Sequence, residues 1–164
     1  MGDVLKLLFK GKKKRRFYNH IPAKEVKARV EPELWNGYFK FCFERNPWDR
    51  VISQHYWRNQ SEPRPPISDF VRSTTPLTLK KRGYGVYMID GRVAVDKVCK
   101  FENLTEELEA IRNQVGIPEP LELPKAKSQY RKDKRSYRDI LGEEDKARIA
   151  ELFHDEIRMG EYEW

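Results

Sequence analysis

The pattern of apolar and polar positions predicts its clearest elements between residues 38 and 58. Residues 38–43 are almost continuously apolar and aromatic, which is typical of a strand buried on both faces. Asn46 and Pro47 follow it, and these residue types favour the N-cap and the first turn of a helix. We expect that helix over residues 47–58. A strand that leads through a short corner into a helix is typical of α/β proteins.

Weaker patterns predict further elements along the chain. Asp90-Gly91 is a hairpin signal between strands over 86–89 and 92–95, and Gly83 and Gly85 are expected to open the first of them. A helix is predicted from an N-cap at Asn103, in a capping box with Glu106, to a stop at Gly116. The other predictions are helices over 23–30, 67–71 and 143–158, a strand over 97–101 and an extended segment over 118–127. Together these elements predict a single α/β domain over residues 1–164.

Length and composition exclude several classes of protein. The chain of 164 residues can bury one hydrophobic core. Its apolar runs span only a few residues, far below the roughly 20 needed to cross a bilayer, and we expect no secretory signal. Cys42 and Cys99 are far apart and form no C-x-x-C motif, which argues against a disulfide scaffold and a structural zinc site. We therefore expect a cytoplasmic protein without a metal.

The net charge of +7 is concentrated in two basic segments. Residues 10–16 contain six basic side chains and no acidic one, and residues 125–138 contain seven with a single aspartate. The rest of the chain therefore has a net charge of −5. Each segment is interpreted either as a solvated surface or as a binding site for phosphates or polyanions. In the second segment hydroxyl side chains alternate with the charges, which favours a discrete anion as ligand: Ser128, Tyr130, Ser136 and Tyr137.

The junction between the strand and the helix is the strongest candidate site. Arg45 follows the strand, at the sheet edge where α/β proteins bind ligands. The helix that begins at Pro47 would direct free backbone amides and the positive end of its dipole to the same place. Ser53 lies two turns further along that helix. These groups suit one phosphate; the alternative is that Arg45 pairs with a nearby carboxylate such as Asp49.

Residues 43–53, Phe-Glu-Arg-Asn-Pro-Trp-Asp-Arg-Val-Ile-Ser, resemble a signature of the sulfotransferases, in particular the branch with carbohydrate-modifying and bacterial members. Three later segments resemble others of that family in the same order: 100–104, the basic segment 127–138 and the final segment 155–162. The resemblance covers the chain from about His20 to the C-terminus. It implies a P-loop-NTPase-like sulfotransferase fold, which is α/β with a parallel sheet flanked by helices.

The resemblance also implies a ligand and the residues that bind it. The sulfate donor would be 3′-phosphoadenosine 5′-phosphosulfate (PAPS), with Arg45 and Ser53 on its 3′-phosphate. The basic segment would fold over the nucleotide. The residues of that segment implied to bind the nucleotide are Lys127, Ser128, Arg131, Lys134 and Tyr137. The acceptor would be a carbohydrate or a small hydroxylated molecule.

The sequence departs from the family at its start. Sulfotransferases begin with a strand and a Gly-rich phosphate-binding loop that carries a lysine, and none of the nine glycines here belongs to a Gly-rich segment ending in Lys-Ser or Lys-Thr. We therefore expect this N-terminal strand and loop to be missing, through natural truncation or a true start upstream of Met1. The loss would impair transfer, and exposed strand edges could promote homo-oligomers.

A hydroxyl acceptor needs a base, and the resemblance makes His20 the candidate; the other reading is a structural histidine. Two alternative functions stay open. The chain could be a non-catalytic remnant that binds the nucleotide and acts as an interaction protein, or a basic nucleic-acid-binding protein. We expect no nucleic acid as partner, because the rest of the chain is acidic and contains no known RNA- or DNA-binding motif.

Overall fold

The structure is a computed structural model that describes residues 17–123 and 130–164. The predicted basic segment 10–16 and the candidate ligands Lys127 and Ser128 lie outside these residues. The first part contains α1 (Ala23–Lys27), α2 (Pro32–Gly37), β1 (Phe41–Glu44), α3 (Pro47–Arg58), α4 (Ile67–Arg72), α5 (Thr75–Arg82), β2 (Met88–Ile89), β3 (Arg92–Val93), β4 (Lys97–Lys100) and α6 (Leu104–Gln114). The second part contains α7 (Tyr137–Ile140), α8 (Glu143–Leu152) and α9 (His154–Met159).

The fold is mixed α/β, with a small parallel sheet among helices. Strands β1 and β4 pair in parallel, in the register Phe41 with Lys97 to Glu44 with Lys100. Strands β2 and β3 form an antiparallel hairpin, in which Gly91 has a φ of +75°. Only glycine adopts that backbone conformation freely, so the Asp-Gly turn explains the hairpin. The predictions of a hairpin here and of a strand near residues 97–101 are confirmed.

Four of the sequence predictions are wrong in detail. The strand after residue 38 is not buried on both faces, since Tyr38 and Phe41 are 68% and 41% exposed. In the described residues β1 has one neighbouring strand, and its aromatic rings instead pack on each other: the ring centroid of Phe41 lies 6.3 Å from that of Phe39 and 6.0 Å from that of Phe43. Gly83 and Gly85 open no strand, because they lie in a turn and a short 3₁₀ helix.

The other two corrections concern helix ends. Helix α6 follows Asn103, but the Asn103 side chain accepts no capping hydrogen bond. The capping box of this chain lies at the start of α7 instead, where Ser136 and Asp139 cap each other's backbone. The helix predicted over 143–158 is two helices, because the helix is interrupted by a turn at Phe153, between α8 and α9.

Helix α3 lies at the centre of the hydrophobic core. Val51 and Ile52 on α3 are fully buried, and they pack with the fully buried Ile149 of α8 and Phe153. Burying side chains of this size contributes about 1.5–3 kcal/mol each. The N-terminus of α3 is thereby held at the end of β1, as the sequence predicted.

A network of ion pairs around two buried carboxylates stabilises this arrangement. Arg50 on α3 contacts the carboxylate of Glu44 at the end of β1, and its Nη2 donates to Glu156 Oε1 of α9 at 3.4 Å. Tyr87 donates to the other oxygen of Glu44 at 2.9 Å, and Lys80 Nζ lies 3.8 Å from Glu156 Oε2. Glu44 and Glu156 are 3% and 0% exposed. The network therefore joins β1, α3, α5 and α9 inside the protein.

Burial raises the pKa of Glu156, and the nearby cations only partly oppose this. The folded state thus binds this proton more tightly than the unfolded chain does. The resulting stabilisation is fully present below the ordinary glutamate pKa of 4.5 and is lost as the pH rises through the raised pKa. Glu156→Gln keeps the shape of the side chain but cannot titrate. We expect the stability of this variant, relative to wild type, to increase as the pH rises above about 4.5.

The measurement is the unfolding free energy by urea denaturation between acidic and neutral pH. The matched control is Glu151→Gln, since Glu151 is exposed on α8. Parallel pH profiles for wild type and Glu156→Gln would contradict the prediction.

Candidate functional site

The candidate site begins at the N-cap of α3. The Asn46 side chain accepts hydrogen bonds from the backbone N of Trp48 at 3.1 Å and of Asp49 at 3.3 Å. Pro47 has no amide hydrogen. The prediction of free backbone amides at this helix end is wrong, because the Asn46 side chain accepts from two of them. The helix can still favour an anion through the positive end of its dipole.

Arg45 and Ser53 point toward each other beside this helix. Arg45 Nη1 donates to Ser53 Oγ at 3.2 Å, across two turns of α3. Arg45 Nε donates to Asp49 Oδ2 at 2.6 Å, and its guanidinium carbon lies 4.8 Å from the centre of the Phe101 ring. The pairing with Asp49, which was the alternative interpretation of Arg45, is therefore observed, and another nitrogen of Arg45 contacts Ser53. Phosphate binding by these two residues stays a prediction.

Arg131 approaches the same carboxylate from the other side. Its Nη1 contacts Asp49 Oδ1, while Nε donates to the carbonyl of Asp133 at 3.0 Å and Nη2 to that of Arg135 at 2.7 Å. One guanidinium thus holds residues 131–135 in a tight loop and attaches this loop to α3. Asp49 bridges Arg45 and Arg131, a role that the sequence did not indicate, because Arg131 lies 82 positions away.

An open cleft lies over these groups, and we call it the α3 cleft. Its volume is about 750 Å³, and its lining includes Arg45, Ser53, Arg131, Lys134, Arg135 and Tyr137. Five of the eight residues selected from the sequence are therefore brought together: Arg45, Ser53, Arg131, Lys134 and Tyr137. Lys127 and Ser128 lie outside the described residues, and His20 borders a different cleft.

Some of the basic side chains that line the α3 cleft are paired with a carboxylate of the protein, and others are not. Arg135 pairs with Asp133, and its hydrogen bonds hold the pKa of that carboxyl far below its usual range. Lys134 is exposed and makes no hydrogen bond or ion pair with any residue of 17–123 or 130–164. The hydroxyl of Tyr137 donates to the carbonyl of Glu163 at 3.2 Å, and its ring stacks on Trp48.

The candidate base is exposed. His20 has a φ of +59°, a conformation that non-glycine residues rarely adopt, and its side chain borders a second cleft. Ser53 and Arg131 border both clefts. In the described part of the chain, no group of three His, Cys, Asp or Glu side chains is placed to bind a metal ion. None of the described helices is long and apolar enough to span a membrane.

An uncharacterized protein of Archaeoglobus fulgidus is 32% identical over 106 residues, which make up 63% of this chain and 88% of that protein. No protein-family model matches the chain. No solved structure matches it either.

The bridge through Asp49 leads to a prediction about the loop. We expect Asp49→Ala to accelerate trypsin cleavage after Lys132 about tenfold, because the loop loses a charge-assisted hydrogen bond to α3. The measurement is the rate at which this fragment appears by mass spectrometry. Asp69→Ala is the matched control, since Asp69 also lies in the first turn of a helix but outside the cleft. Equal cleavage rates in both variants would show that Asp49 does not restrain the loop.

Proposed function

The chain belongs to the same family as the Archaeoglobus fulgidus protein, and we propose that it is a sulfotransferase domain. Its α3 cleft binds the 3′-phosphate of PAPS. The reaction transfers the sulfuryl group to a hydroxyl of a carbohydrate or another small acceptor. In the finer fold that we propose, β1 and β4 are two strands of a P-loop-type parallel sheet. The observation that carries this proposal is the convergence of Arg45 and Ser53 at the start of α3.

The donors that Arg45 and Ser53 leave available support the proposed phosphate binding. A guanidinium has five N–H donors, and Asp49 and Ser53 accept from only some of those of Arg45. The remaining donors and the Ser53 hydroxyl can bind one phosphate in a forked geometry. The open cleft gives the phosphate access, and Lys134 adds at its border a cation that no described residue neutralises.

Asp49 sets the charge of this site. Its single carboxylate is shared by Arg45 and Arg131, so the three groups together keep a charge of +1. A carboxylate that holds two guanidinium groups side by side limits their movement. It thereby reduces the conformational entropy that the ligand must overcome when it binds.

The transfer step breaks the bond from sulfur to the donor phosphate and forms one from sulfur to the acceptor oxygen. The acceptor proton goes to a base, for which His20 is the candidate, and adenosine 3′,5′-bisphosphate leaves. In such a displacement, placement and charge stabilisation dominate catalysis. The 164 residues include no Gly-rich segment ending in Lys-Ser or Lys-Thr, so we expect slow turnover in this chain. The same observation favours, as second candidate, a domain that binds the nucleotide without catalysis.

The first test is isothermal titration with adenosine 3′,5′-bisphosphate and with adenosine 5′-monophosphate, which lacks the 3′-phosphate. We expect the bisphosphate to bind at least tenfold more tightly. Arg45→Gln should weaken its binding by about tenfold or more, because a charge-assisted hydrogen bond is lost, and Ser53→Ala by about threefold to tenfold.

Arg72→Gln is the control for charge, because Arg72 is exposed on α4 and pairs with Glu144 outside the cleft. Equal affinity for both nucleotides, unchanged by Arg45→Gln, would refute the proposal. Tighter binding of a single-stranded oligonucleotide with a steep salt dependence would favour the nucleic-acid alternative.

The second test measures transfer of radiolabelled sulfate from PAPS to a panel of hydroxylated acceptors. We expect His20→Ala to lower the transfer rate about a hundredfold while the affinity for the bisphosphate stays unchanged. His154→Ala is the control, because His154 is exposed on α9, away from both clefts. Nucleotide binding without any transfer by the wild-type chain would favour the non-catalytic domain.

A further inference from the structure

A second cleft lies between α3 and α5 and shares Ser53 with the α3 cleft. We call it the α5 cleft. Its volume is about 320 Å³, at the lower end of the roughly 300–1,000 Å³ of ligand pockets. Its lining includes Gln54, Trp57 and Arg58 of α3 and Thr75, Thr78 and Arg82 of α5.

The lining of the α5 cleft contains arginines but no acidic side chain among the described residues. Arg50 and Arg131 border it and are paired with carboxylates, as described above. Arg58 and Arg82 are exposed and have no hydrogen bond or ion pair with any residue that the structure describes. The cleft therefore presents two guanidinium groups whose charge no described residue neutralises.

The helices themselves supply no partner for these two arginines. A carboxylate four residues earlier on the same helix would pair with each of them. Those positions are Gln54 for Arg58 and Thr78 for Arg82, and both are neutral side chains that line the cleft. Both arginines end their helices, where they also offset the negative end of the helix dipole. Their donors remain available to an anion.

The other lining groups suit a ligand that also carries hydroxyls. Thr75 and Thr78 lie one turn apart on α5 and, with Gln54, provide neutral donors and acceptors. Trp57 is 38% exposed, and an aromatic face of this kind can cover the apolar side of a ring. We propose that the α5 cleft binds a hydroxylated organic anion of about monosaccharide size, with its carboxylate or sulfate ester between Arg58 and Arg82.

The position of the cleft connects this ligand to the proposed reaction. Ser53 and Arg131 line both the α5 cleft and the α3 cleft, and His20 borders the α5 cleft. A hydroxyl of the bound anion would lie on the side of the candidate base. The identification of this anion as the sulfuryl acceptor rests on the proposed function. The binding of the anion in the α5 cleft does not depend on that function.

The test is an NMR titration of the full chain at constant ionic strength with glucuronate, glucose and inorganic sulfate. Glucuronate and glucose differ mainly in one carboxylate, and sulfate carries charge without a ring. We expect glucuronate to bind at least tenfold more tightly than either. Arg58→Gln and Arg82→Gln should each weaken glucuronate binding about tenfold, as expected for the loss of a charge-assisted hydrogen bond.

Lys81→Gln is the matched control, because Lys81 is the exposed neighbour of Arg82 and does not line the cleft. Three results would overturn the proposal: no saturation by glucuronate, equal binding of glucose or sulfate, or an equal loss of affinity in Lys81→Gln. Titration of the same variants with adenosine 3′,5′-bisphosphate separates the two proposals. If Arg58→Gln and Arg82→Gln leave the affinity for the bisphosphate unchanged, this supports the placement of the two ligands in separate clefts. Glucuronate binding without bisphosphate binding would refute the proposed function alone.

Discussion

The structure depends on one largely buried guanidinium, 15% exposed, that lies between two buried carboxylates. Arg50 joins Glu44, at the end of β1, to Glu156, near the C-terminus. Removing one partner from a buried ion pair leaves an uncompensated charge and costs about 3–5 kcal/mol. That is a large part of the 5–15 kcal/mol by which a domain of this size is stable. Because Glu44 directly precedes Arg45, the same network determines where the candidate site begins.

The two clefts share one helix and differ in their charge. In the α3 cleft Asp49 neutralises part of the charge of Arg45 and Arg131 and holds the two guanidinium groups on one carboxylate. In the α5 cleft the described lining contains no carboxylate, so an anionic ligand meets no repulsion there. Ser53 borders both clefts because α3 is fully buried along its opposite face. A ligand in either cleft would therefore lie next to the Ser53 hydroxyl.

The start of α3 was predictable because its signals are local. An N-cap asparagine followed by proline determines a helix start through contacts within three residues, and α3 begins at Pro47 as expected. Signals of the same kind failed at Asn103, where the capping box was predicted and the side chain does not cap. A capping side chain has other hydrogen-bonding partners available in the folded protein, and local spacing does not decide between them.

The sequence by itself determined the hairpin at Asp90-Gly91, the helix after residue 46 and the eight-residue spacing that places Arg45 and Ser53 on one side of α3. Each depends on backbone geometry over a few residues, which does not change with the environment. Only the tertiary structure decided that Arg131 reaches Asp49, and that Arg58 and Arg82 border one cleft without a carboxylate. Those relations join residues far apart in the chain, and packing of α3 against α5 and α8 brings them together.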